Sequence, residues 1–157
     1  MVVRLRPHHL LCMLTFVGKG YNAAFVANYT AIARRLSEGE EIEVVSGLDD
    51  ICRPLLNDPE AHCREHGVAA RDELAAKAVA RLLGRSVRPG DRLRLSRALV
   101  GRLREAFKEG TIRTACRGCS WSNLCSTVAG SGFSGVKVLG SAVPAETATG
   151  TCAPLPA

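Results

Sequence analysis

The sequence predicts a mainly α domain of about five helices with one or two short strands. Two observations carry this. Apolar residues recur at helical spacing over 22–38, 68–83 and 96–109, each run closed by a glycine. Strict polar/apolar alternation is confined to short pieces such as Glu41-Ile42-Glu43-Val44-Val45. A third observation places a site on this frame. Residues 116–125 hold three of the seven cysteines, spaced Cys-x2-Cys-x5-Cys. The metal-thiolate site they begin should link the N-terminal helix to this C-terminal segment.

Pro7 suits the first turn of a helix that runs to the glycines at 18 and 20. His8 and Cys12 then stand at i and i+4 on one face, and His9 turns about 100° away. The next helix starts at Asn22, a capping residue, and Phe25, Tyr29, Ile32 and Leu36 form its buried stripe. Gly39 ends it and the 41–45 strand follows. Asp49-Asp50-Ile51-Cys52-Arg53-Pro54 reads as a turn or helix start, with an aspartate as cap. Residues 55–67 are loop-like and contain His62, Cys63 and His66. Leu74, Ala75, Ala78, Val79 and Leu82 stripe the 68–83 helix. Pro89-Gly90 marks a turn in a basic connection. Ser96 caps a helix carrying Leu99, Val100, Leu103, Ala106 and Phe107. Residues 121–129 can form a last helix, followed by a glycine-rich turn and a short strand, 136–139. The expected organisation is one metal-binding helical domain over 1–139 and a disordered tail over 140–157, where Ser, Ala, Thr, Gly and Pro dominate.

Composition bounds the function. Aromatic residues make up only 4% of the chain, so few bases could stack on it, although the net charge is +6. Eight arginines against one acid lie between Arg81 and Arg104. A solvated face explains them better than a phosphate-binding patch, and nucleic acid is the weaker partner reading. The apolar run Leu10–Val17 is too short to span a bilayer and lacks a cleavage site, so a cytoplasmic, reducing location with no membrane is expected. In that setting clustered cysteines are ligands rather than disulfides.

A Cys-x2-Cys pair brings two thiolates to one centre across a single turn, as both zinc and iron–sulfur sites require. The trio Cys116, Cys119 and Cys125 needs a fourth donor. Cys12, Cys52, Cys63 and the histidines at 8, 9, 62 and 66 are the available ones. Trp121, the only tryptophan, lies between the second and third thiolates and could shield a cofactor there. His8 and His9 are the candidate acid–base groups if the centre does chemistry.

The combination Arg6-Pro7-His8-His9-Leu10-Leu11-Cys12, Gly18-Lys19-Gly20-Tyr21, Asp49-Asp50-Ile51-Cys52, His62-Cys63 and Cys116-x2-Cys119-x-Trp121-x3-Cys125 resembles a family of short bacterial and archaeal proteins. That family is described as a domain of unknown function and is thought to bind an iron–sulfur cluster. The resemblance spans roughly residues 3–139, with Leu48 where the related pattern has proline. It implies Cys12, Cys52, Cys63, Cys116, Cys119 and Cys125 as the cysteines that matter, with Cys152 outside the set. It also tips the cofactor toward an iron–sulfur cluster, [4Fe–4S] over [2Fe–2S], with zinc as the alternative. Two centres are a further option.

Three functions follow: a small cytosolic iron–sulfur protein in electron transfer or redox and iron sensing, working with a redox partner protein; a zinc-stabilised module binding nucleic acid or protein; and a cluster- or thiol-dependent enzyme using His8 or His9.

Overall fold

The computed structural model describes residues 2–55, 67–117, 119 and 121–142. Its elements run β1 (Val2–Leu5), α1 (His9–Cys12), α2 (Ala23–Ser37), β2 (Glu41–Val44), α3 (Val68–Leu83), β3 (Arg92–Arg94), α4 (Arg97–Glu109) and α5 (Ser122–Gly130). Five helices pack with a small sheet of order β1-β2-β3, in agreement with the fold class. Among the described residues the sheet has three strands, where one or two were expected.

The sheet is mixed. β1 pairs parallel with β2, Val2 opposite Glu41 and Leu5 opposite Val44. β2 pairs antiparallel with β3, Ile42 opposite Leu93. Parallel neighbours need a crossover, and the chain supplies it through α1 and α2. Val3, Leu5, Ile42, Val44 and Leu93 all face the core, because alternate side chains share a face.

Local signals place the long helices well. Asn22 accepts the Phe25 amide (2.8 Å) and Ser96 accepts that of Leu99 (3.1 Å), so both expected caps form. Phe25, Tyr29, Ile32 and Leu36 are buried on α2, and Val100, Leu103, Ala106 and Phe107 on α4. On α3 the buried residues are Val68, Ala75, Ala78 and Val79, and Leu74 is 41% exposed. Leu74 lies one helical step off the face that packs.

Three features differ from expectation. Residues 2–5 form a strand, which four residues at a chain end give little pattern to reveal. The N-terminal helix is one turn, extended by a 3-10 turn over Met13–Thr15. Residues 136–139 form no strand. They are pinned by single contacts: Lys137 donates its amide to the Phe16 carbonyl (2.9 Å), and the Arg104 guanidinium reaches the Val138 carbonyl (2.6 Å). Val138 is fully buried.

The ordered chain also continues past 139. Ser141 is buried and exchanges backbone hydrogen bonds with the Leu95–Arg97 segment (2.7 and 3.0 Å). Gly140, at φ +82°, allows this approach, since a Cβ there would lie 3.0 Å from the Arg97 Cα. The rest of the expected tail lies outside the described residues.

The turn after β2 positions the site. Asp50 accepts the Arg4 amide (2.8 Å) and Asp49 accepts that of Arg6 (2.8 Å), so two aspartates dock this turn along the N-terminal segment. Asp49 also accepts the amides of Ile51 (3.0 Å) and Cys52 (3.1 Å) with its other oxygen, the capping role the sequence suggested. Among the described residues no helix is long and apolar enough to cross a membrane.

Candidate metal centre

Four free cysteines converge on one cavity. Cys12 closes α1. Cys116 ends a 3-10 turn over Thr114–Cys116, Cys119 follows it, and Cys125 lies in α5. The winding is set by successive turn bonds: the Cys119 amide to the Cys116 carbonyl (3.1 Å), Ser122 to Cys119 (3.1 Å) and Cys125 to Trp121 (2.9 Å). Thr15, one turn beyond Cys12, donates its hydroxyl to Cys125 Sγ (3.1 Å) and joins the two ends of the chain. Cys12 is therefore the cysteine that the fold brings to the trio.

The cavity measures about 90 Å³, and one water needs only about 10–15 Å³ on this scale. His8 and His9 line one side. Phe16, Tyr21, Phe25, Tyr29 and Trp121 supply aromatic wall. Phe16 stacks on Tyr29 with centroids 3.9 Å apart, and Tyr21 meets both Phe25 (5.2 Å) and Trp121 (5.4 Å) edge to face. Trp121 lines this cavity with the clustered cysteines, and Tyr21, Phe25 and Tyr29 join it from α2 and its approach. The helical stripe on α2 serves as core and as cavity wall at once.

Burial pushes the Cys12 thiol well up, and the nearby Cys116, Cys119 and Cys125 thiols push it further. Burial also raises Cys116 and Cys125, with Arg113 partly opposing. Four thiolates cannot share this space without a cation to neutralise them. A bound metal inverts the balance and deprotonates its thiol ligands outright.

Both histidines are anchored through Nδ1 on buried or half-buried carboxylates. His8 Nδ1 lies 2.7 Å from Asp72 Oδ1 and His9 Nδ1 lies 2.6 Å from Asp49 Oδ2. Arg6 grips the other oxygen of Asp72 through Nε (2.9 Å) and Nη2 (2.8 Å). The two rings pack with centroids 4.3 Å apart. Asp72 comes from α3, far away in sequence, and no local signal marked it as a partner of His8. Asp49 carried a visible capping signal, but its hold on His9 needs the tertiary fold.

Acid should weaken this arrangement. Burial and the neighbouring His9 lower the His8 pKa to about 4 from an ordinary 6.5. Burial alone would raise Asp72, but hydrogen bonds from His8 and Arg6 overcome it and hold the carboxyl at about 2. A histidine with a depressed folded pKa binds its proton more readily when unfolded, so stability falls as pH drops from about 6.5 to 4. The depressed aspartate adds a further loss from about 4 downward. Urea midpoints measured at pH 7.5, 5.5 and 4 should decline in that order, and the pH 7.5-to-5.5 step should flatten in His8→Gln.

Cys52, an expected ligand, is elsewhere. It is fully buried, held in a disulfide, and is not among the residues lining the cavity. Its sulfur, one His9 nitrogen and an Asp49 oxygen lie within 4.8 Å of one another. Asp49 already accepts four hydrogen bonds and the sulfur is in an S–S bond, so this trio is not arranged as an open metal site. Cys63, His62, His66 and Cys152 lie outside the described residues.

Much of the arginine-rich stretch ties the scaffold together. Arg85 donates to the Arg92 carbonyl (2.8 Å), Arg102 to Leu82 (2.9 Å) and Arg104 to Leu14 (3.1 Å).

No curated protein and no solved structure matches the chain. Residues 20–125 match a family described as "Protein of unknown function (DUF1284)". The match takes in the three clustered cysteines, Tyr21, Asp49, Asp72 and Trp121, and covers well over half of the sequence, so the chain belongs to that family.

Proposed function

We propose that this protein is a small iron–sulfur protein in which Cys12, Cys116, Cys119 and Cys125 hold one [4Fe–4S] cluster, and that it acts in electron transfer or in redox or iron sensing. The observation that carries the reading is the convergence of four free thiols from both ends of the chain on one aromatic-walled cavity. Such a donor set suits zinc or iron–sulfur, and a cavity of about 90 Å³, several times the space one water needs, leaves room for the larger group.

A bound cluster would supply one-electron exchange. The chain's own residues do the rest. Thr15 donates a hydrogen bond to Cys125 Sγ, which lowers the electron density on a ligand sulfur. Phe16, Tyr29 and Trp121 exclude water. Tyr21, 38% exposed and in contact with Trp121, gives a short aromatic route between the cavity and the surface where a redox partner could dock. A reducing, cytoplasmic location fits a centre built from free thiols.

A second reading is an enzyme. Carboxylate-anchored histidines beside the same cavity resemble the dyads that orient general bases. The zinc-stabilised nucleic-acid module draws less support, because several arginines of the basic stretch already bind carbonyls.

Anaerobic purification followed by a spectrum and metal analysis tests the proposal. Broad absorbance near ~400 nm with about four iron and four sulfide per chain is the expected result. A colourless protein with about one zinc would replace the redox reading with a structural one.

A further inference from the structure

We infer that Tyr29 is a positioning residue of the thiolate cavity, its hydroxyl donating a hydrogen bond to sulfur of the loaded centre on the side of Cys12 and Cys125. The inference rests on the cluster reading above and adds to that centre a residue from α2.

Tyr29 lines the cavity and is 4% exposed. Its hydroxyl is buried and has no hydrogen-bond partner among the described residues. The ring is not free to swing out and find one. Phe16 stacks on it with centroids 3.9 Å apart and planes 4° from parallel, and Phe25 meets it edge to face at 5.7 Å.

A buried hydroxyl without a partner costs free energy. The packing does not call for one, because phenylalanine would keep the stack on Phe16 and the stripe of α2 without that cost. The oxygen is best explained by an acceptor that the cavity provides.

The neighbours of the hydroxyl narrow down that acceptor. Burial pushes its pKa well up, and Cys12, Asp49 and Cys125 push in the same direction, so these three are the ionisable groups that bear on it. Asp49 is already taken. Its two oxygens accept the amides of Arg6, Ile51 and Cys52 and the His9 ring. Four bonds fill the acceptor sites of a carboxylate. The two cysteines remain. A thiol sulfur accepts weakly, whereas a metal-held thiolate accepts a charge-assisted bond. Thr15 already donates to Cys125 Sγ at 3.1 Å, so Tyr29 is the second hydroxyl donor, reaching the centre from another element. Partners of this kind orient ligands, strengthen metal binding and tune the potential of a cluster.

The test compares Tyr29→Phe with the wild type, both as full chains purified anaerobically. The variant loses one oxygen and keeps the ring, so its urea midpoint and iron content should match the wild type. At a fixed solution potential its ratio of reduced to oxidised cluster should fall severalfold. An iron chelator should strip it about tenfold faster. In D2O the iron–sulfur stretching bands of the wild type should shift more than those of the variant, a signature that ring packing alone does not produce.

Equal potentials, stripping rates and D2O shifts in the two proteins overturn this inference and leave the cluster reading standing. A Tyr29→Phe chain that fails to fold overturns it as well, since the hydroxyl would then serve the chain rather than the centre. A wild type carrying about one zinc overturns the cluster reading, and equal zinc release from the variant would then overturn the inference too. A chain that takes up no metal under any condition overturns both.

Discussion

Serine in place of any one of Cys12, Cys116, Cys119 or Cys125 is expected to abolish stable cluster binding, taking iron from about four to below about one per chain. The effect should be large because the four cysteines of the proposed ligand set lie on separate parts of the fold: Cys12 in α1, Cys116 in a 3-10 turn, Cys119 just after it and Cys125 in α5. Without a metal these thiols are pushed toward the protonated form by burial and by one another. A bound cation removes that penalty and crosslinks residue 12 to residue 125, so binding energy becomes folding energy. The same variants should therefore lose several kcal/mol of stability in urea unfolding. Cys52→Ser is the matched comparison, since Cys52 does not line the cavity. Iron content near the wild-type value in Cys52→Ser, beside loss in the other four, is the expected pattern. Equal loss in Cys52→Ser would mean that the ligand set extends beyond the cavity.

Asp49→Ala should cost about 3–5 kcal/mol, the range for removing one partner of a buried charged network. The Asp49 side chain is fully buried and its two oxygens accept four bonds: from Arg6 and Ile51 amides, the Cys52 amide and the His9 ring. Alanine leaves three buried amides and one imidazole without an acceptor, and each carries a desolvation cost. Asp49→Asn retains one acceptor oxygen and should lose less. Urea unfolding at pH 7.5 measures both. A loss below about 1 kcal/mol for alanine would show that water replaces the carboxylate and that the network is not a structural hub.

The same residue separates what was legible early from what was not. Its capping of residues 51–52 is a local event, written in an aspartate before a turn. Its grip on His9 and on the Arg6 amide joins residues some forty positions apart. The helices behave like the cap. Asn22, Ser96, Gly84 and Gly110 act on neighbours within one turn, so the boundaries of α2, α3 and α4 follow from the residues alone. β1 does not, because four residues gain strand geometry only through their pairing with β2.

The candidate centre divides in the same way. The sequence by itself determined the helical class, the main helix limits, the clustered trio Cys116, Cys119 and Cys125, and the nearness of Trp121 to it. These depend on periodicity, caps and spacing over ten residues or fewer. Only the tertiary structure decided that Cys12 is the cysteine that joins the trio, that Cys52 goes instead to His9 and Asp49, and that Asp72 anchors His8. Those choices depend on how the N-terminal segment meets α3, α5 and the turn after β2, with His8 on Asp72, Thr15 on Cys125 and His9 on Asp49. Contacts of that kind arise from burial of shared apolar surface, which pays no regard to distance along the chain.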